Sequence, residues 1–261
     1  FLAALVQEMR PEEACDKVSL IVVGSMADVV EDQMRRIFSG FGIDRVSFLP
    51  SRNSEELAEV GPNTAFALAQ PYLGATAQAL ERRGARWIPA LFPLGEEGTT
   101  NWLKAIADYF EVDPDRFDSI VEPGRNRARQ AVAKYREVLE GKRIFLFPDS
   151  QMEPSLARFL QNEAGAEIIE VGSPFLHRHH VSKELAQLPD SVVMSEGQDV
   201  DRQIDRCRAA NPDLIVCGMG LGNPFEAEGF STKWSIELVF SPIHGYELSV
   251  VRVFRRAESF C

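Results

Sequence analysis

Gly218-Met219-Gly220-Leu221-Gly222 follows the apolar run Leu214–Cys217, and backbone amides in such a loop can cradle a phosphate. A dinucleotide-binding loop reads Gly-x-Gly-x-x-Gly and opens a helix, whereas here the sixth position is Asn223 and Pro224 follows it. The spacing therefore favours a tight turn at a strand end over nucleotide binding. Gly141-Lys142 has no upstream glycine partner of the Walker A type, so ATP hydrolysis is not expected of this chain. His177-Arg178-His179-His180 gathers three imidazoles, a residue type that binds metals, but lacks the acidic ligand spacing of helical zinc motifs; a solvated cluster beside a turn is the simpler expectation. The cysteines, Cys15, Cys207, Cys217 and Cys261, show no Cys-x-x-Cys spacing, which argues against a disulfide scaffold and against a zinc or iron–sulfur site built from this chain alone.

Two further stretches carry binding chemistry. Phe92-Pro93-Leu94-Gly95-Glu96-Glu97-Gly98-Thr99-Thr100 leaves a strand and opens a helix at a Thr N-cap, either as a shaped loop above a sheet or as a plain glycine turn. The stretch from Gly220 to Tyr246 places Trp234, Phe240, His244 and Tyr246 after a strand end, a mix suited both to a pocket for a large flat ligand and to core packing. Within it, Lys233 and Glu237 stand four residues apart and can pair.

The elements that must position these groups alternate between short β-branched runs and helical stripes, the signature of parallel βαβ units. Val18–Val23 reads as a strand buried on both faces, and Val29–Phe38 as a helix closed by Gly40 and Gly42. Val46–Leu49, Thr64–Leu68 and Trp87–Ala90 read as strands, with a helix over Gly74–Arg83 and another over Thr99–Phe110. Pro114 to Leu139 reads as a helical connector broken near Pro123-Gly124. After it come strands at Arg143–Phe147, Glu167–Val171, Val192–Met194 and Leu214–Cys217, with helices over Glu153–Glu163 and Asp199–Ala210. The fold class is α/β, with tandem Rossmann-like domains on parallel sheets, divided as 1–112 and 113–261. Ligands of such folds bind beyond the carboxyl ends of the strands.

Composition supports an ordinary globular protein: 261 residues, 45% hydrophobic and 26% charged. The net charge of −11, spread over both halves, argues against a phosphate-tracking basic face. No apolar run reaches the roughly 18 residues of a membrane span, and scattered cysteines fit a reducing cytoplasm. The opening residues Phe1-Leu2-Ala3-Ala4-Leu5 lack the features of a signal peptide and read as a cut through a longer chain.

Asn223-Pro224-Phe225-Glu226-Ala227-Glu228-Gly229, leading into Thr232-Lys233-Trp234-Ser235-Ile236-Glu237, resembles subunit N of the light-independent (dark-operative) protochlorophyllide reductases, which are nitrogenase-like enzymes. The resemblance extends through Phe92-Pro93-Leu94-Gly95 with Gly98-Thr99, through Leu156-Ala157-Arg158-Phe159-Leu160, and through Pro212-Asp213-Leu214. It implies a nitrogenase-component-1-like fold and an N2B2 heterotetramer with a 4Fe-4S cluster at each interface between N-type and B-type subunits. It also implies a transient reductase, subunit L, that hydrolyses ATP and delivers ferredoxin-linked electrons to reduce the ring D C17–C18 double bond of protochlorophyllide to chlorophyllide a. The N-type cluster ligands are then expected upstream of this chain, and the proton-donating carboxylate on the B-type subunit. By the same resemblance Trp234, Phe240, Ser241 and His244 are substrate-binding residues, and the location is cytoplasmic, or the plastid stroma in a photosynthetic eukaryote. The alternatives are a subunit of chlorophyllide a reductase or another nitrogenase-like enzyme, and a non-catalytic two-domain ligand-binding protein.

Overall fold

The computed structural model describes residues 1–12, 17–197, 199–235, 237 and 243–246. Among these, β1 (Ser19–Val23), β2 (Val46–Leu49), β3 (Thr64–Leu68) and β4 (Arg86–Trp87) form one sheet in the order β2-β1-β3-β4. All its pairings are parallel, with Ser19 opposite Thr64 and Val23 opposite Leu68. Successive residues of β1 point to opposite faces, and both faces are covered. Leu20 and Val22 pack with Val30, Met34 and Phe38 of α2 (Asp28–Phe41) and with Trp102 and Ile106 of α4 (Gly95–Tyr109). Ile21 and Val23 pack with Val6 of α1 (Leu2–Glu8) and with Ala77 and Leu80 of α3 (Gly74–Arg82).

A second parallel sheet is built from β5 (Arg143–Leu146), β6 (Glu167–Ser173), β7 (Val193–Glu196), β8 (Leu214–Cys217) and β9 (Thr232–Trp234), in the order β7-β6-β5-β8-β9. Its helices are α6 (Glu153–Arg158), continued by a π-helical turn over Phe159–Glu163, then α7 (Arg178–Leu185), α8 (Val200–Ala210) and α9 (Met219–Ala227). The long α5 (Pro114–Leu139) joins the halves, giving Phe117, Val121 and Ala128 to the first core and Val132 and Leu139 to the second. Among the described residues no helix is long and apolar enough to cross a membrane.

Three expectations require correction. The connector is one continuous helix through Pro123, whose missing N–H removes one bond while buried residues on either side hold the helix in place. Gly124 adjoins that gap and is packed so closely that a Cβ there would lie 2.6 Å from Tyr246 Cδ2. The helix expected to start at a Thr99 cap starts instead at Gly95, with Thr99 buried inside it. The Gly218–Gly222 segment is no simple turn but the first turn of α9, closed by the amides of Leu221 and Gly222 on the Gly218 carbonyl, with Pro224 inside the helix.

Candidate functional site

Each sheet has a point where the chain switches direction, between β1 and β3 in the first and between β5 and β8 in the second, and in such folds the crevice beyond the strand ends at that point is where ligands bind. The first crevice is filled from within. Gln70 is buried, its Oε1 accepts from the Ser25 amide at 3.0 Å, and its Nε2 donates to the Ser25 carbonyl at 2.9 Å.

The second crevice is where sequence-derived candidates collect. β5 ends in Phe147-Pro148-Asp149-Ser150, β8 in Gly218, and β9 in Trp234-Ser235. The Ser235 hydroxyl donates to Oδ2 of Asp149, and Oδ1 of that carboxylate lies 3.1 Å from where a Cβ on Gly218 would sit. A carboxylate thus faces the amino end of α9, the position a bound phosphate would need, which removes the remaining case for a phosphate cradle there. Trp234 is half-buried, and its Nε1 lies 2.6 Å from the site of a Cβ on Gly222, so only glycine at 222 lets the indole lie against α9. Lys233 is buried and pairs with Glu237, as their spacing suggested.

His244 sits at the junction of the halves. It forms an antiparallel bridge with Leu94, is hydrogen-bonded to the Ala69 carbonyl, and is 5% exposed; burial pushes its pKa down to about 4, so the ring is neutral. The Gly245 amide donates to the Pro93 carbonyl at 3.0 Å beside it. Trp234 therefore stands in β9 of the second sheet, whereas His244 is tied to Leu94 and Ala69, outside the strands of either sheet. Phe240 and Ser241 lie outside the described residues. Ser235 and Ile243, the described residues that flank positions 236 and 238–242, line one small cavity together with Glu153 and Leu94.

Sequence reasoning missed the buried ion network that fastens this region. Arg158 Nε donates to Glu184 Oε2 at 2.7 Å and Nη2 to the Leu94 carbonyl at 2.7 Å, while Nη1 reaches Glu97 and Glu163. The other oxygen of Glu184 accepts from the Phe92 amide at 2.7 Å. Glu163 accepts from the amides of Glu96 and Glu97, capping α4 from the other half of the molecule. That remote cap explains why α4 begins at Gly95: its φ of +76° and missing Cβ make room for the Glu163 carboxylate.

The histidine cluster is not simply solvated. His180 is buried, its ring centroid 4.9 Å from that of Trp87, and burial lowers its pKa to about 4; His179 lies at the same distance from Trp87 but is exposed. Among the described residues no group of three or more His, Cys, Asp or Glu is placed to hold a metal ion. Cys207 and Cys217 pack with Phe145, Phe147 and Phe225, and burial pushes both thiols up to about 12. Packed in that aromatic shell, and with no third His, Cys, Asp or Glu grouped with them among the described residues, the two do not make the ligand set of an iron–sulfur cluster. Cys15 and Cys261 lie outside the described residues.

Two tandem parallel α/β units bridged by a long helix define the architecture, and the sequence matches the model of the nitrogenase component 1 type oxidoreductases over residues 1–260. The chain belongs to that family. Two solved structures of nitrogenase Cp1, at pH 5 and pH 6.5, share the fold with TM-scores of 0.75 and 0.70 at 14% identity, covering 98% and 99% of this chain and 59% and 62% of theirs. The light-independent protochlorophyllide reductase subunits N of Rhodopseudomonas palustris (strain BisB18) and Rhodospirillum rubrum are each 59% identical to it over 246 residues. That alignment covers 94% of this chain but 57% and 56% of those relatives, so the chain spans little more than half their length.

Proposed function

We propose that the chain is part of an N-type subunit of a light-independent protochlorophyllide reductase. In this reading the assembled enzyme adds two electrons and two protons across the C17–C18 double bond of ring D. The observation that carries the reading is 59% identity over 246 residues, 94% of this chain, with subunits of that name. A B-type subunit completes the N2B2 heterotetramer and the substrate cavity, and the L-type reductase hydrolyses ATP and passes electrons in. The described cysteines do not fit the 4Fe-4S cluster, so its ligands are assigned to the B-type subunit and to N-type sequence outside this chain. The units 1–112 and 113–261 serve as scaffold halves.

This chain's own contribution is a wall for a planar macrocycle. Trp234, Phe240, Ser241 and His244 are assigned to it: Trp234 offers an aromatic surface stiffened by contact with Gly222, and neutral His244 fixes the return of the segment at Leu94. Asp149, joined to Ser235, sets the rim of the crevice.

The test is co-expression of the full-length subunit with its B-type counterpart, followed by addition of the L-type reductase, ATP, reductant and protochlorophyllide. Chlorophyllide absorption is the expected result. An assembled complex that binds protochlorophyllide without reducing it would contradict the proposal.

A further inference from the structure

We infer that Glu153 is a neutral carboxylic acid that, with Ser235, holds one buried water and stores a proton beneath the second crevice. Glu153 is 2% exposed. Its Oε1 accepts from the amides of Asp149 at 2.9 Å and Ser150 at 2.6 Å, and from the Ser150 hydroxyl at 3.2 Å. Those bonds resemble the capping box of a helix start, and a glutamine could make them equally well. Capping leaves Oε2 unexplained, for that atom is buried with no partner.

The side chain borders a cavity of about 10 Å³, close to the space one water occupies. The remaining wall is Leu94, Met152, Leu156, Val216 and Ile243, with Ser150 and Ser235 as the other polar groups. Among the described residues Glu153 is the one titratable group in that lining, and Asp149 accepts a hydrogen bond from Ser235 on its other side. An ionised Glu153 would leave one oxygen unpaired against hydrocarbon with no cation among the described lining residues, so the group keeps its proton. Burial shifts its pKa upward for the same reason.

Donor counting places the water. Ser235 spends its hydroxyl proton on Asp149 Oδ2, so towards the cavity it accepts, and Glu153 Oε2–H requires an acceptor. A water that accepts from Glu153 and donates to Ser235 satisfies both, and completes a chain Glu153–water–Ser235–Asp149 ending at an exposed carboxylate. When Glu153 gives its proton to substrate bound in the crevice, recharging moves one proton along this chain. A solvent proton arriving at the Asp149 carboxylate passes to Ser235 Oγ, the Ser235 hydroxyl proton passes to the water, and the water gives one of its own to the Glu153 carboxylate. Because Ser235 and Ile243 flank the segment assigned above to the substrate wall, use of this proton in turnover rests on the proposed function; the protonation state does not.

Infrared spectra of the full-length subunit at pH 7 test it. The difference between wild type and Glu153→Gln should contain the carbonyl stretch of a protonated carboxyl, and Ser235→Ala should shift that band. Carboxylate bands alone overturn the proposal, and an unshifted band in Ser235→Ala overturns the water bridge. In the assembled enzyme Glu153→Gln should lower kcat by about 10²-fold at unchanged KM, with partial rescue by Glu153→Asp. Unchanged kcat beside a lost band overturns the proton-supply role and leaves the proposed function standing. Absence of turnover in the wild-type complex strikes the proposed function, while the infrared result still decides the state of Glu153.

Discussion

Arg158 Nε and Glu184 Oε2 meet at 2.7 Å with both side chains 0% exposed, and the pair joins α6 to α7 while each partner also grips the 92–97 loop of the first half. Two charges removed from water are stable only while each remains paired. Glu184→Ala should therefore destabilise the fold by about 3–5 kcal/mol, because it leaves the guanidinium partly uncompensated and the Phe92 amide without its acceptor. Replacing both residues by apolar ones of similar volume should cost less than the two single changes added together, as read from urea midpoints. Strict additivity would show that the pair is not coupled.

Glu163 makes stability depend on pH in an unusual direction. Its carboxyl is raised to about 7, chiefly by burial against the opposing effects of Arg158 and the α4 amides. The folded state therefore binds this proton more tightly than the unfolded state, whose value lies near 4.5. The contribution is fully present below pH 4.5 and is lost as pH rises through about 7. Urea unfolding between pH 5 and 8 should show this loss, and Glu163→Gln should flatten it; an identical slope in the variant would refute the assignment.

Cys207 and Cys217, held near 12 by burial, should resist alkylation at pH 8 in the native protein and react fully once it is unfolded. In the full-length subunit with its partner, Cys207→Ala and Cys217→Ala should leave the iron–sulfur spectrum intact. Loss of that spectrum in either variant would make these residues ligands.

Gly222 and Trp234 should behave as one unit. Trp234→Ala should weaken protochlorophyllide binding by ~0.5–1.5 kcal/mol or more through lost aromatic contact. Gly222→Ala drives a methyl group to 2.6 Å from the indole nitrogen and should weaken binding in the same direction by displacing the ring. Fluorescence titration decides it: full affinity in both variants would assign the indole to packing alone.

The parallel α/β plan was legible because strands buried on both faces are written as apolar runs; β2, β3 and β8 fall on Val46–Leu49, Thr64–Leu68 and Leu214–Cys217 as read from sequence. What escaped were contacts between residues far apart in sequence. Glu163 caps α4 across 67 positions, so the nearby Thr99 looked like the cap. Arg158 stood inside a recognisable segment, yet nothing local showed that it is buried among three glutamates. Ser150 and Glu153 do carry the Ser-x-x-Glu spacing of a capping box, a signal that could have led to the crevice. Of the candidate wall, Trp234 and His244 can be placed and Phe240 and Ser241 fall outside the described residues.

The most direct measurement of the central claim is a segment exchange. The part of the Rhodospirillum rubrum subunit N that aligns with this chain is replaced by this chain, and the hybrid is assembled with that organism's B-type and L-type components. Chlorophyllide formation from protochlorophyllide, dependent on ATP and lost in Trp234→Ala combined with Phe240→Ala, is the result the account predicts. A hybrid that assembles with its iron–sulfur spectrum intact and yields no chlorophyllide would contradict it.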